Sequence, residues 1–175
     1  MNITNSTMLR VMNIVFWIIF IGLCIKTGAY VVSFFVSLFI NPEGAKDLYT
    51  DLNLYHLFTF SQLHYIQIVS YIIALSGFKA YMAFQVVKLF MDFNLSKPFS
   101  GKLIQAFVTI SYIAIGTGVL SLIASAHSKW LINRGVEVAY EWGSGEILFF
   151  GGVIYILSLI FKKGYELQNE NDLTV

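Results

Sequence analysis

Leu103 to Ala126 reads LIQAFVTISYIAIGTGVLSLIASA, 24 residues without a charge or a proline. At about 1.5 Å per residue this segment reaches roughly 36 Å as a helix, more than the ~30 Å hydrocarbon core of a bilayer. It reads as a transmembrane span, and it decides the fold class. Three more apolar stretches flank it. Val11 to Ile40 is interrupted only by Lys26, and Tyr65 to Phe90 carries Lys79 and, near its end, Lys88. Ile147 to Phe161 is uncharged but only about 22 Å long, so the residues from Gly143 onward must also enter the membrane. The expected architecture is an all-α integral membrane protein. Four transmembrane helices, at about 11–40, 65–90, 103–126 and 143–161, form one bundle, followed by a tail over 162–175.

Composition supports this placement. Hydrophobic residues make up 57% of the 175-residue chain and charged residues 12%, against about 25% charged in soluble domains. A soluble protein of this kind would expose large apolar patches. The length fits a single domain, 1–175. A net charge of +1 argues against direct nucleic-acid binding. The single cysteine, Cys24, excludes an intrachain disulfide, a CxxC centre and a multi-cysteine zinc site. Residues 1–9 lack the basic start of a secretory signal, so the first span is expected to be retained.

Basic residues set the expected direction. With the N-terminus inside, Arg10, Lys88, Lys97, Lys102, Lys162 and Lys163 lie at the cytoplasmic face, against Lys46, Lys129 and Arg134 outside. That bias favours both termini in the cytoplasm. In the second outer loop Val136, Val138, Tyr140 and Trp142 alternate with Glu137 and Glu141, a period of two. Leu52, Leu54, His56, Phe58 and Phe60 alternate less cleanly in the first. Two readings stay open: a small cap of two paired strands, or an interfacial segment with Trp130, Tyr140 and Trp142 in the headgroup belt.

The tail runs FKKGYELQNENDLTV over 161–175, directly after the last span, and LSKPFS occupies 95–100 between the second and third spans. With these motifs the chain resembles the bacterial membrane family catalogued as domain of unknown function 2975, along nearly its whole length. The resemblance implies a multi-pass protein of the bacterial cytoplasmic membrane, with no established activity. It also implies genomic association with a small helix-turn-helix regulator, a candidate cytoplasmic partner.

The residues themselves offer few chemical constellations. His56, His64 and His127 fall on or near the outer side beside several carboxylates, yet no two have the spacing that puts ligands on one helical turn. They read as polar loop residues, and neither a metal site nor a cofactor is expected. Cys24 lies in an apolar span that suppresses its thiolate, and no nucleophile motif or phosphate loop is present. Ala114, Gly118, Ser121 and Ser125, like Ser70, Ala74 and Gly77, are small residues at helical spacing, suited to close helix packing.

The intramembrane charges are the strongest pointers. A lysine near the bilayer centre costs about 2.5–3.5 kcal/mol and normally has a polar environment. Lys26 lies 16 residues beyond Arg10 and Glu146 lies 16 before Lys162, which puts both at the same depth and predicts a Lys26–Glu146 contact. Lys79 is its competitor. In the tail, Gly164 is expected to end the last helix and leave Glu166, Glu170 and Asp172 as an acidic docking element. The expected function is a non-enzymatic regulatory or sensory membrane protein acting through that tail. The alternative is a small transporter or channel subunit with Lys26 or Lys79 on its pathway. Self-association in the bilayer is compatible with either.

Overall fold

The structure, a computed structural model, describes residues 3–92 and 100–172. It contains α1 (Ile3–Phe39), a 3₁₀ helix (Pro42–Lys46), α2 (Tyr55–Phe60), α3 (Gln62–Asp92), α4 (Gly101–Ile132) and α5 (Ser144–Asp172). Of these, α1, α3, α4 and α5 are long and apolar enough to cross a membrane. All four expected spans are present, each helix extending beyond the stretch legible as apolar sequence. Pro98 and the rest of the 93–99 connection lie outside the described residues.

The bundle is a row rather than a ring. α1 packs on α3, α3 on α4, and α4 on α5; α1 touches neither α4 nor α5, and α3 does not touch α5. Regular stripes explain this order. On α1, Asn13, Phe16, Phe20, Leu23, Thr27, Tyr30, Phe34 and Ser37 are all buried or half-buried. Their steps of three and four are the seam of a left-handed helix pair. On α5 the same pattern runs through Gly151, Ile154, Ser158, Phe161, Tyr165 and Gln168. It is carried onto α4 by Phe161 against Phe107, with ring centroids 5.1 Å apart.

This second stripe corrects the expected helix stop. Gly164 lies inside α5, which continues to Asp172. A glycine within a helix costs about 1 kcal/mol, a penalty that packing on both sides of it outweighs. The small-residue reading of α4 is supported: Ala114, Gly118 and Ser121 are buried, and the backbones of α4 and α5 approach closely at Gly118 and Gly151. On α3, Gly77 faces Thr27 of α1, whereas Ser70 is exposed.

The densest core lies at one end, the cap end. There Tyr30, Leu48, Leu54, Leu57, Tyr65, Ile68, Ile72, Leu131, Val136 and Trp142 are buried together. The opposite end, where α1 starts and α5 finishes, is the tail end. Expected strands are replaced at the cap by short helices and irregular chain, and no strand occurs among the described residues. Asn41 caps the 3₁₀ helix through its side chain, with Pro42 following it. The Leu52–Phe60 stretch enters α2 after Leu54, so its alternation ends there.

Over 136–142 the period of two is real in burial but has no ladder. Val136, Val138 and Trp142 are buried and Glu137 and Glu141 exposed. The segment is held by other bonds. Gly135 (φ +81°) closes α4 with a Schellman motif, in which Val136 N–H donates to Leu131 O at 3.1 Å and Gly135 N–H to Ile132 O at 2.9 Å. The Trp142 indole N–H donates to Ser128 Oγ at 3.1 Å, and Ser121 Oγ donates to the Trp142 carbonyl at 2.5 Å. Tyr140 hydrogen-bonds Ser76 of α3, and burial pushes its phenol above the ordinary value. Trp142 is therefore a core residue; of the three aromatics proposed for a headgroup belt, Trp130 is exposed.

Candidate functional site: two lysines on the α1–α3 seam

Lys26 adjoins Thr27 on the α1 stripe, and Lys79 follows two residues after Gly77, the residue of α3 that faces Thr27. Residues two apart on a helix do not share a face, so Lys79 stands beside the Gly77–Thr27 contact rather than in it, at a level similar to that of Lys26. Both are half-buried, and each lies within range of the other's charge. Counted from the cap end, Lys26 is 13 residues from Phe39 and Lys79 is 17 from Gln62, depths of about 20 and 26 Å. They occupy the middle of the spans.

The wall around them is aromatic and hydroxylic. Lys26 Nζ lies 5.8 Å from the centre of the Tyr30 ring, a weak cation–π contact. Toward the tail end, Phe20 meets Phe84 with centroids 5.4 Å apart and Phe16 meets Phe90 at 5.6 Å. Toward the cap, Phe34 packs on Tyr65, whose hydroxyl is 2.6 Å from Ser37 Oγ. Aromatic contacts thus flank the lysines along the seam on both sides. Nearer the tail end, the buried Asn13 Oδ1 has no hydrogen-bond partner.

Neither lysine meets a carboxylate. Among the described residues the ion pairs are Lys46–Glu43 and Lys163–Glu166, both at exposed positions. The expected Lys26–Glu146 contact does not form. Glu146 is exposed in the first turn of α5, beside Gly143, and α3 and α4 stand between it and Lys26. Depth alone made them neighbours; the order of the row separates them. Lys79 is also out of reach, because α3 and α5 do not touch.

The tail acids are carried on helix rather than on a loose terminus. Glu166 pairs with Lys163 one turn back at 3.3 Å, Glu170 is exposed on the last described turns, and the side chain of Asp172 lies outside the described residues.

One constellation escaped the sequence reading. His64 of α3 and His127 of α4, 63 positions apart, meet at the cap end with His127 Nε2 3.1 Å from His64 Nδ1. Gln67 Oε1 lies 3.2 Å from the same His64 nitrogen. Trp130 borders both rings, with centroids 5.1 Å from His64 and 6.1 Å from His127, and the Arg134 guanidinium stacks on its indole at 3.8 Å. His56 is exposed on α2. Among the described residues no three His, Cys, Asp or Glu side chains converge. Comparison of the chain with protein-family models, curated proteins and solved structures gives no match.

Proposed function

We propose that this chain is a non-enzymatic sensory or regulatory membrane protein that holds an anionic ligand between Lys26 and Lys79 and reports its state through the tail end of α5. The observation that carries the reading is the lysine pair. Two like charges half-buried at mid-span destabilise the seam unless something negative joins them. Phe16, Phe20, Phe84 and Phe90 narrow the way to the tail end, which favours a held ligand over a conducted one. A row of helices also encloses no path of its own, so the transporter reading requires a second copy of the chain. In this proposal both termini face the cytoplasm of a bacterium, as the basic-residue bias and the resemblance to the domain of unknown function 2975 family imply. The helical tail, with Glu166, Glu170 and Asp172, docks a basic cytoplasmic protein of the helix-turn-helix type.

Two measurements test the halves of this proposal. In detergent without added anion, Lys26→Met and Lys79→Met should each stabilise the chain, by on the order of 1 kcal/mol, because each removes one of two repelling charges. Thermal unfolding reads this directly; a loss of stability in both variants would make the lysines structural. In native membranes, Glu166→Lys/Glu170→Lys/Asp172→Lys should reduce the co-purifying cytoplasmic protein at least about fivefold, with the loss most marked at low salt. Unchanged recovery would refute the docking role, and anion flux through liposomes containing the purified chain would favour the transporter reading.

A further inference from the structure

We propose that His64, Gln67 and His127 form a binding site for a divalent transition-metal ion of the zinc class, joining α3 to α4 at the cap end. The case starts from His64 Nδ1. Two acceptor-capable atoms approach it, His127 Nε2 at 3.1 Å and Gln67 Oε1 at 3.2 Å. A neutral imidazole nitrogen carries either one hydrogen or one lone pair, so hydrogen bonding serves the two contacts only by sharing. A metal ion uses all three lone pairs at once. With ligand distances of about 2.0–2.1 Å, two donors on a tetrahedral ion stand roughly 3.3 Å apart. The observed spacings need open by only about 0.2 Å to admit it.

The frame suits the role. The two histidines come from different helices, α3 and α4, which pack side by side. Gln67 follows His64 by three positions, so the two α3 donors share one face. All three side chains are partly exposed, which leaves room for water in the remaining coordination position and a route for the ion. Neutral ligands suit a borderline metal such as Zn²⁺, Co²⁺ or Cu²⁺ better than a hard cation such as Ca²⁺ or Mg²⁺, which takes carboxylate oxygen. The Arg134 guanidinium is held over the Trp130 indole, 3.8 Å from its centre. The Trp130 ring borders both histidines and so supplies a local reporter.

The test uses the purified full chain in detergent, titrated with Co²⁺ and separately with Zn²⁺. The expected result is the intense visible absorption of four-coordinate Co²⁺, displaced by Zn²⁺, with quenching of indole fluorescence by Co²⁺ that disappears in Trp130→Phe. His64→Ala and His127→Ala should each weaken binding at least about tenfold, while His56→Ala leaves it unchanged. Gln67→Glu, which puts a carboxylate where the amide oxygen stands, should bind several-fold more tightly, and it remains informative if the alanine variants fold poorly. No saturable binding of either ion by the wild-type chain, or binding indifferent to both His127→Ala and Gln67→Glu, would overturn the proposal.

Discussion

Replacing Gly151 by leucine is expected to peel α5 from α4. A Cβ at Gly151 would stand 2.9 Å from Ile115 Cγ1 and 3.1 Å from the Ile115 backbone nitrogen. Side chains turn aside, but a helix backbone does not, so the two axes must move apart along the whole seam. The cost should reach about 3 kcal/mol, the upper part of the range for overpacking. Small residues at such seams replace the hydrophobic drive that lipid does not supply, which is why the loss is large. The partner position allows a finer check. A Cβ at Gly118 would lie 2.5 Å from Leu148 Cγ, a side-chain atom, and 3.2 Å from the Leu148 nitrogen. Gly118→Ala should therefore be partly rescued by Leu148→Ala, whereas Gly151→Leu should not. Thermal unfolding in detergent, with limited proteolysis of α5, measures both. Additive losses in the Gly118–Leu148 pair, or a Gly151→Leu chain as stable as wild type, would refute the packing.

The second large effect is expected at the cap. Trp142→Ala removes a side chain that is 7% exposed, packs on Tyr140 at 4.7 Å between ring centroids, and donates its N–H to Ser128. Large-to-small changes of this kind cost about 3–5 kcal/mol, and the orphaned Ser128 hydroxyl adds to the loss. Trp142→Phe keeps most of the ring volume and loses the hydrogen bond, so it should cost about 1–2 kcal/mol. The ratio separates volume from bonding. If alanine and phenylalanine are equally harmful, the hydrogen bond dominates; if both are silent, residues 136–142 do not hold the cap.

How far the sequence could be read depended on which physical signal each feature leaves. Apolar length announces a span to any single-chain reading, and all four spans were legible in this way. Gly164 misled because a propensity is a local quantity, while the stripe from Gly151 to Gln168 that overrides it is a packing pattern. The Lys26–Glu146 expectation used depth but not lateral order, and depth is shared by every helix in a bundle. His64 and His127 were legible by that same arithmetic. One immediately precedes the second apolar stretch and the other immediately follows the third, on helices joined by a short loop. Equal depth on chain neighbours carries more weight than equal depth on the first and last helices. The 136–142 alternation shows one buried and one exposed face, and of the two readings it leaves open the paired strand does not form, because periodicity reports burial and not the hydrogen-bond partner.

The row arrangement has a consequence for how the chain is made. Each long helix meets only the helices before and after it in sequence, so the contacts of the spans can form in the order of synthesis. α3 can dock on α1 before α4 emerges, and α4 can dock on α3 before α5 exists. No early helix waits unpaired for the last one, as the first helix of a closed ring must. Such assembly is local, vectorial and little exposed to misdocking, in contrast to topologies whose first contacts join distant parts of the chain. It also leaves α1 and α5 with one long-helix neighbour each and no ring to break.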